Sequence, residues 1–549
     1  MHVNQPTGQY LEFSSPPYPL SVKHASIENL LNISYWLWRL NTLSMFPVIL
    51  SNAFEVLKQS IIVIAIMLGL YQLTSTGILK DFAESISKFD FERIVSLIYP
   101  IIHILVPLLI ATILIYYLAS ILTGGFLNSA EYGSYLRLVK KGTVSFKDIF
   151  EEMEEKWLKM SWVVFIIETI KILPLLITVT VIISDIIYLS SQISKGIIPS
   201  MGYRFIFWLI LIILSMIFIV VFSVLTLYAY PAVADGYYGL NAIKKSISTC
   251  FNIPANTLLY CVLRVVSNIL VSIVSTIASL LSIQISSILV IVLSFLIVPV
   301  FHIFKTTLFL KAKPENTIIP LPIGPPVFKD VFPNVLKDGV NRIKKGFREL
   351  VKFLTEPRNL IFHVISGLLL FLGVILGRQV SSSGIRQVIY AIGYAPGKIN
   401  PLFKNYLGLP FLALDISFHN WQVSLATAFS GLVFIVPVLT TLLFNGFILG
   451  VVEDIVQNPT MFLAAILPHG IIELPAFIIA GSIGLNLGID FLKALKKRNV
   501  SSNEVFQESL KKAIYIIISL IPLFLIAGII ETFITPLIMR IYGWGLKTS

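Results

Sequence analysis

Long apolar runs recur along the whole chain, and they constrain the fold more than any other feature of the sequence. A helix needs about 20 predominantly apolar residues to cross a bilayer. Only 13% of the 549 residues are charged, which is about half the share of a soluble domain. The pattern predicts an all-α fold, a polytopic transmembrane helical bundle. In the first half the predicted spans are 59–75, 100–122, 161–189, 204–230, 255–280 and 285–308.

The chain has a formal net charge of +12, which we interpret as a topology signal. Basic residues concentrate between 137 and 159, after the second predicted span, and at Lys244 and Lys245, after the fourth. Such residues collect in cytoplasmic loops. We therefore expect a multi-pass protein of the cell membrane with a cytoplasmic N-terminus. No basic stripe is interleaved with aromatic residues, so nucleic acid is not an expected partner.

Two further features limit the class of protein. The two cysteines, Cys250 and Cys261, exclude a disulfide framework and offer no metal-ligand spacing. The first 25 residues hold four prolines and no apolar core. We therefore expect no cleavable signal peptide, and insertion directed by the first spanning helix.

A proline-rich segment predicts the domain boundary. Six prolines lie within residues 311–334, and no regular helix or strand is expected at that density. The sequence therefore predicts an N-terminal six-span module at 1–310, a linker at 311–334 and a C-terminal five-span module at 335–549.

The N-terminal module contains a weak repeat of amphipathic segments, each placed before an odd-numbered span. We expect each segment to lie in the membrane interface as an elbow before a pair of spanning helices. The three segments are FEVLKQS (54–60), FEEMEEKWLKM (150–160) and LNAIKKSISTC (240–250). With GLNAIKKS at 239–246, this half resembles the membrane domain found beside some glycerophosphodiester phosphodiesterases.

A basic amphipathic helix is predicted after the linker. We expect it to lie on the anionic cytoplasmic leaflet as an interfacial elbow, with docking to a partner as the alternative. The residues of its apolar face are Leu336, Val340, Ile343, Phe347, Leu350, Val351 and Leu354.

The number of spans in the second half follows from charge parity. Basic clusters at 337–352 and 493–498 must both be cytoplasmic, so an even number of crossings separates them. Since 441–456 is the only further candidate and has only 16 residues, we predict a re-entrant or tilted half-length helix there. The other predicted spans are 359–377, 422–439, 462–488 and 513–537.

The segment ILPHGIIELPAFIIAGSIGLNLG at 466–488 places His469 and Glu473 at membrane depth. A charged residue there costs roughly 3 kcal/mol on insertion scales, and such residues usually face a bundle interior or a cavity. The two lie four residues apart, on one helical face. Pro468 and Pro475 flank them, so we predict that the helix is broken at this point.

Three interpretations of this pair stay open: a metal site, a proton or solute path, and a polar lock that holds the broken helix. In the lock, Glu473 accepts hydrogen bonds either from freed backbone N–H groups or from Asn445 and His469. Two ligands do not complete a metal site, so we predict no metal, no cofactor and no catalytic residue. The predicted intramembrane polar cluster is His469, Glu473, Asn445, Glu531 and Asn420. Residues assigned to hinges and close packing are Pro468, Pro475, Gly470, Gly446 and Gly450.

Ionisable residues also occur in spans of the first half. Glu168 and Lys171 are spaced to form an intrahelical pair, and we expect Arg264 to contact Glu168.

Four sequence pieces of the second half, about 350–549, resemble the stage II sporulation protein M family. They are Asn420 with Gly431, FNGFILG at 444–450, LPHGIIELPA at 467–476 followed by GSIGLNLG at 481–488, and IETFITP at 530–536. The resemblance implies a five-span membrane module. The resemblance also implies that the protein is a component of a membrane complex, since the founding member of the family acts with peptidoglycan hydrolases during engulfment. The six-span first half departs from that founding member.

The sequence favours a non-enzymatic membrane scaffold that recruits partners. The alternative is a permease-like subunit of a transporter or exporter, in which the polar cluster lines a path. That subunit would need a separate ATPase, because the chain has no Walker motif. An intramembrane enzyme is disfavoured by the lack of a nucleophile–base pair. The expected partners are the lipid bilayer and an unidentified membrane or cytoplasmic protein, for which an ATPase is one candidate.

Overall fold

The computed structural model of the protein describes residues 20–193, 202–280, 282–320, 335–391, 409–433, 435–497 and 500–542. These residues are almost entirely helical, which confirms the predicted all-α class. The helices up to residue 320 are α1 (Ile27–Leu40), α2 (Phe46–Ser75), α3 (Ile78–Ser87), α4 (Phe91–Lys141), α5 (Phe146–Ile193), α6 (Gly202–Leu225), α7 (Ala229–Ala234), α8 (Leu240–Asn252), α9 (Pro254–Ser279) and α10 (Ile283–Lys311).

The later helices include two short π-helical turns, at Ser381–Ile385 and at Ile530–Ile534. The α-helices are α11 (Val335–Thr355), α12 (Pro357–Val380), α13 (Arg386–Ala391), α14 (Leu409–Ser430), α15 (Val436–Val456), α16 (Pro459–Lys497), α17 (Val500–Ile529) and α18 (Thr535–Ile541). A 3₁₀ turn at Thr42–Met45 precedes α2. Two residues of β1 (Leu20–Ser21) pair antiparallel with β2 (Ile318–Ile319).

Ten helical stretches in the described residues are long and apolar enough to cross a membrane. Each of the six spans predicted in the first half coincides with one of them. The ten are Thr42–Ser75, Phe91–Lys141, Phe146–Leu189, Tyr203–Ala234, Pro254–Ser279, Ile283–Lys311, Pro357–Ala391, Val436–Val456, Pro459–Lys496 and Ser502–Ile541. The 22-residue α14 is not among them, because Asp415, His419, Asn420 and Gln422 lower its hydropathy.

Two predicted elements of the second half are wrong. The span predicted at 422–439 is interrupted, since α14 ends at Ser430 and α15 begins at Val436. Ile435 has a positive φ of 65°, and Pro437 fits the first turn of a new helix better than a helix interior. Consequently α15 has 21 residues, about 30 Å at 1.5 Å per residue, so it is a full-length helix rather than a half-length one.

The predicted helix break at Pro468 and Pro475 is also wrong, because both prolines lie inside the continuous helix α16. A proline removes one backbone N–H and frees one carbonyl, which either kinks or breaks a helix. Neighbouring helices make such positions tolerable in spanning helices. Here α16 packs against α12, α14, α15 and α17, so packing along its length holds the helix together.

The predicted elbows form separate helices at only one of three places. Residues 54–60 belong to α2 and residues 150–160 to α5, whereas 240–250 lie within the separate helix α8. No proline or glycine separates the first two segments from the apolar run that follows. By contrast, Gly239, with φ 56°, precedes α8, and Pro254 follows it.

The chain divides into two compact units. The first comprises the described residues of Met1–Pro47, Ile121–Leu270 and Ser294–Lys329. Its core is built from buried aromatic and aliphatic side chains, among them Leu30, Leu37, Tyr132, Tyr135, Phe304 and Phe309. A short strand pair, β1 with β2, closes one side of this core.

The second unit comprises the described residues of Val48–Ser120, Val271–Leu293 and Asp330–Ser549. It therefore contains the helices α11 to α18 together with two segments from the first half of the chain. The prediction of no regular element in the linker is wrong at its start, where Ile318–Ile319 form β2, and residues 321–334 lie outside the described residues. The predicted module boundaries stay a prediction.

Glycines bring α12 and α15 into backbone contact within the second unit. A Cβ atom at Gly446 would lie 2.0 Å from the carbonyl oxygen of Leu370, and one at Gly450 would lie 2.0 Å from that of Val374. Only residues without a side chain permit this approach. At Gly470 the three nearest atoms all belong to Ile466 and Leu474 of its own helix, so this glycine makes no comparable helix contact.

The helix predicted after the linker exists as α11, but only part of its apolar face is free. A Cβ atom at Gly346 would lie 2.3 Å from the carbonyl oxygen of Tyr515, so α11 packs closely on α17. Leu350 and Phe353 are buried there. On another side of α11, Val340, Val351 and Leu354 remain exposed.

Candidate functional site

A cavity of about 550 Å³ lies among α12, α14, α15, α16 and α17 of the second unit. Its wall is largely apolar, with Leu370, Leu449, Phe477 and Phe524 among the lining residues. All five residues of the predicted polar cluster line it: His469, Glu473, Asn445, Glu531 and Asn420. The fold thus concentrates the polar side chains of several helices around one space.

His469 is buried in α16, and its two ring nitrogens lie near Thr535 and Glu531. Its Nδ1 lies 3.3 Å from Thr535 Oγ1, and its Nε2 lies 4.0 Å from Glu531 Oε2. The first contact is a long hydrogen bond, whereas the second exceeds hydrogen-bonding distance. Within the described part of the chain, Nε2 therefore faces the cavity with no hydrogen bond.

Glu473 follows His469 by one helical turn and is held from another helix. Asn420 of α14 donates a hydrogen bond from Nδ2 to Glu473 Oε1 at 2.7 Å. A buried carboxylate has about four acceptor sites. This single bond therefore fixes the side chain while leaving most of its acceptor capacity directed at the cavity.

The predicted lock between Glu473, Asn445 and His469 is wrong in its hydrogen bonds. Asn445 donates from Nδ2 to the carbonyl oxygen of Thr441 at 2.8 Å, within its own helix. An asparagine in a helix can satisfy itself on the carbonyl four residues earlier, so it does not need Glu473. The partners of Glu473 and His469 are instead Asn420 and Thr535.

Three cavity residues escaped the sequence analysis: Asp415, His419 and Gln284. Asp415 Oδ1 accepts hydrogen bonds from the Ser282 hydroxyl and from the backbone N–H of Gln284. Asp415, His419 and Gln422 are spaced along α14 as a polar stripe. This spacing is the sequence signal from which Asp415 and His419 could have been predicted. Placing the start of the span at 422 excluded the first two.

Three side chains of the cavity together offer a set of metal ligands. His469, Glu473 and Glu531 each supply one ligand atom, and these atoms all lie within 4.8 Å of one another. The sequence placed Glu531 in the same polar cluster, but only His469 and Glu473 were counted as possible metal ligands, because Glu531 is distant in the chain. Such a set can hold a cation or pass a proton.

The expected contact between Arg264 and Glu168 in the first unit is wrong. Glu168 pairs with Lys171 at 3.0 Å, as predicted. Arg264 instead lies over the ring of Phe301, 5.2 Å from its centroid, and its Nη1 has no hydrogen-bond partner among the described residues. Stacking on an aromatic face is a favourable alternative for a guanidinium.

The fold and the cavity define a class: a polytopic helical membrane protein with a cavity among its helices that is lined in part by polar side chains. Residues 364–536 match the family model of Stage II sporulation protein M, which confirms the resemblance stated for the C-terminal half. This segment contains every residue of the predicted polar cluster. No curated protein and no solved structure matches the chain. The resemblance of the N-terminal half to a phosphodiesterase-associated membrane domain stays a hypothesis.

Proposed function

We propose that the second unit is a permease-like module that holds a small polar or cationic solute in its intramembrane cavity. The observation that carries this proposal is the convergence of His469, Glu473 and Glu531 on one space of about 550 Å³. A polar lock would satisfy these side chains on one another. Here the lining groups keep hydrogen-bonding capacity directed into a space large enough for several water molecules.

The chemistry of the lining groups favours a cationic solute. Lysine and arginine are absent from the cavity wall among the described residues, whereas Asp415, Glu473 and Glu531 contribute carboxyl groups. Ionisable groups in spanning helices commonly mark substrate or ion pathways. Because the sequence has no nucleotide-binding motif, energy for active transport would come from an ion gradient or from a separate ATPase subunit.

Cysteine accessibility tests this function. In a background with Cys250 and Cys261 replaced by serine, single cysteines are introduced at Ile466 and Leu474, which line the cavity. Ile471 lies between them on α16 and is 65% exposed on the outer surface of the helix, so Ile471→Cys is the matched control.

A membrane-impermeant thiol reagent is applied from each side of sealed vesicles. We expect the cysteines at 466 and 474 to react from one side and the cysteine at 471 to react from neither. Failure of both cavity positions to react from either side would contradict the proposal.

A scaffold is the second candidate, and the hydrogen bonds between helices support it. Asn420–Glu473 joins α14 to α16, and His469–Thr535 joins α16 to α18. If the protein is a scaffold, we expect Glu473→Gln to leave the assembly with its partner unchanged, because a glutamine oxygen still accepts a hydrogen bond from Asn420. If the protein is a permease, we expect the same substitution to abolish the binding or the flux of a cation. The unsubstituted protein and Glu473→Gln are purified from native membranes to compare their bound partners, and a flux assay in vesicles compares their cation transport. The two results together distinguish a scaffold from a permease.

A further inference from the structure

We propose that His469, Glu473 and Glu531 bind a divalent first-row transition-metal ion, with Zn²⁺ and Mn²⁺ as the probes. The inference rests on the proposed function, since it names the class of solute that the cavity holds. One imidazole and two carboxylates form a ligand set used by zinc, iron and manganese sites. The imidazole disfavours Mg²⁺ and Ca²⁺, which prefer oxygen ligands.

The distances fit such an ion after small side-chain rotations. Metal–ligand bonds of about 2.1 Å in a tetrahedral site place neighbouring ligand atoms about 3.4 Å apart. His469 Nε2 and Glu531 Oε2 are 4.0 Å apart, and all three ligand atoms lie within 4.8 Å of one another. The set is therefore wider than a closed site by about an ångström, within the range that carboxylate rotation covers.

The residues behind the ligands resemble the outer shell of a metal site. A ligating histidine usually donates its second N–H to an oxygen, which fixes the ring and its tautomer. When His469 Nδ1 carries the proton, it donates to Thr535 Oγ1 and leaves the lone pair of Nε2 pointing at the cavity. Asn420 performs the corresponding role for Glu473 by donating to one of its oxygens.

Local backbone geometry brings in the third ligand. Glu531 lies in the π-helical turn Ile530–Ile534, between α17 and α18. Such turns are rare and are frequent at functional sites. The turn shifts the register between α17 and α18, which places Glu531 and Thr535 opposite His469 on α16.

Charge balance provides an independent argument. Glu473 and Glu531 contribute two of the three carboxyl groups of the cavity wall, and Asp415 contributes the third; the described residues that line the cavity include no lysine or arginine. Unpaired charges at membrane depth are costly. A divalent cation between the two carboxylates neutralises both, and the remaining coordination positions face the cavity, so the ion can exchange.

The test measures metal binding to the full chain in nanodiscs, in the Cys250→Ser, Cys261→Ser background, which removes the thiols as ligands. Equilibrium dialysis with elemental analysis gives the stoichiometry for Zn²⁺, Mn²⁺ and Mg²⁺. We expect one Zn²⁺ or Mn²⁺ ion that is absent from His469→Gln, Glu473→Gln and Glu531→Gln. Mg²⁺ should bind at least tenfold more weakly.

The matched control is Glu453→Gln. Glu453 also lies on a helix of the second unit, but it pairs with Arg378 at 3.3 Å and does not line the cavity. This substitution should leave metal binding unchanged. X-ray absorption of bound Zn²⁺ supplies a second readout, with nitrogen and oxygen ligands and no sulfur expected.

Absence of the ion from the unsubstituted protein, or its retention in Glu473→Gln and Glu531→Gln, would overturn the metal site. If the cavity cysteines still react in that case, the permease proposal stands without it. The converse result is metal binding that depends on all three ligands while the cavity cysteines react from neither side. That result would support the metal site and contradict the permease proposal.

Discussion

Glu473 shows how one amide can determine whether a membrane-depth carboxylate is tolerated. Its only hydrogen-bond partner in the described structure is Asn420, on the neighbouring helix α14. Leaving a buried acceptor without its donor costs about 1–3 kcal/mol, and more when the acceptor is charged. Asn420 therefore acts on both the stability of the bundle and the orientation of a ligand.

Replacement of Asn420 by alanine should lower the free energy of unfolding by about 1–3 kcal/mol. The measurement is unfolding of the purified protein in mixed detergent micelles, followed by circular dichroism. The control is Asn445→Ala, because Asn445 bonds only within its own helix and its loss should cost less. Equal losses in the two variants would contradict a special role for the bond between α14 and α16.

A buried cluster in the first unit gives a second prediction about single residues. His302 Nδ1 lies 2.5 Å from Glu131 Oε1, and the ammonium group of Lys305 lies 4.6 Å from the centroid of the Tyr132 ring. Lys305 is buried, and the carboxyl group of Glu131 provides a nearby opposite charge. Removing one partner of a buried charge cluster typically costs about 3–5 kcal/mol.

We expect Glu131→Gln to destabilise the protein by about 3–5 kcal/mol, because it leaves Lys305 without a compensating charge. Thermal unfolding in detergent measures the effect. Glu84→Gln is the control, since the Glu84–Lys88 pair is exposed on α3 and such pairs contribute little. A melting temperature that falls equally in both variants would contradict the assignment.

At the scale of elements, the contact between α12 and α15 depends on positions that tolerate no side chain. Gly446→Ala would place a methyl group 2.0 Å from the carbonyl oxygen of Leu370. Overpacking usually costs about 1–3 kcal/mol. We expect a loss at or above the top of that range, because a backbone atom cannot rotate away.

The measurement is the yield of monodisperse protein and its unfolding in detergent. Gly339→Ala on α11 is the control, since no atom lies within 4 Å of its added methyl group. It should be neutral or stabilising, because alanine is the better helix former. Normal stability of Gly446→Ala would show that α12 and α15 can separate without penalty.

Several elements could be predicted from the sequence because they depend on local pattern. Apolar runs located the spans, and charge parity demanded a crossing near 441–456, where α15 lies. The start of α14 could not be found by hydropathy, since Asp415, His419 and Asn420 face a cavity rather than lipid. Likewise, the continuity of α16 through two prolines depends on its neighbours, which the sequence of α16 does not contain.

The residues of the candidate site could be predicted from the sequence, but the hydrogen bonds and distances between them could not. Charge at membrane depth identified His469, Glu473 and Glu531 as one group. The partners Asn420 and Thr535 are assigned by helix packing and by the π turn at Ile530–Ile534. Neither feature leaves a periodic signal in the chain.

At the scale of the molecule, the status of α14 determines which side of the membrane each end of the second unit faces. If α14 spans, three helices separate Ser382 from Lys496, and the two residues lie on opposite sides. If α14 does not span, only α15 and α16 separate them, and they lie on the same side. Both side chains are exposed.

We expect Ser382→Cys to react only from the outside and Lys496→Cys only from the cytoplasm, in the background without native cysteines. The measurement is labelling of right-side-out and inverted vesicles with an impermeant reagent. Labelling of both from one side would remove α14 from the set of spanning helices. Exchange of the two sides would reverse the predicted orientation of the N-terminus.

The hydrogen bond between Asn420 and Glu473 also has a consequence for biogenesis. Its two partners are 53 residues apart in the chain, so the ribosome adds α16 roughly 3–10 s after α14, at about 5–20 residues per second. During that interval Asn420 of α14 lacks its hydrogen-bond partner on α16. We therefore expect α14 to remain bound at the insertase until α16 has been synthesised. The two helices would then enter the bilayer together, so that α14 does not enter in the order in which the helices are synthesised.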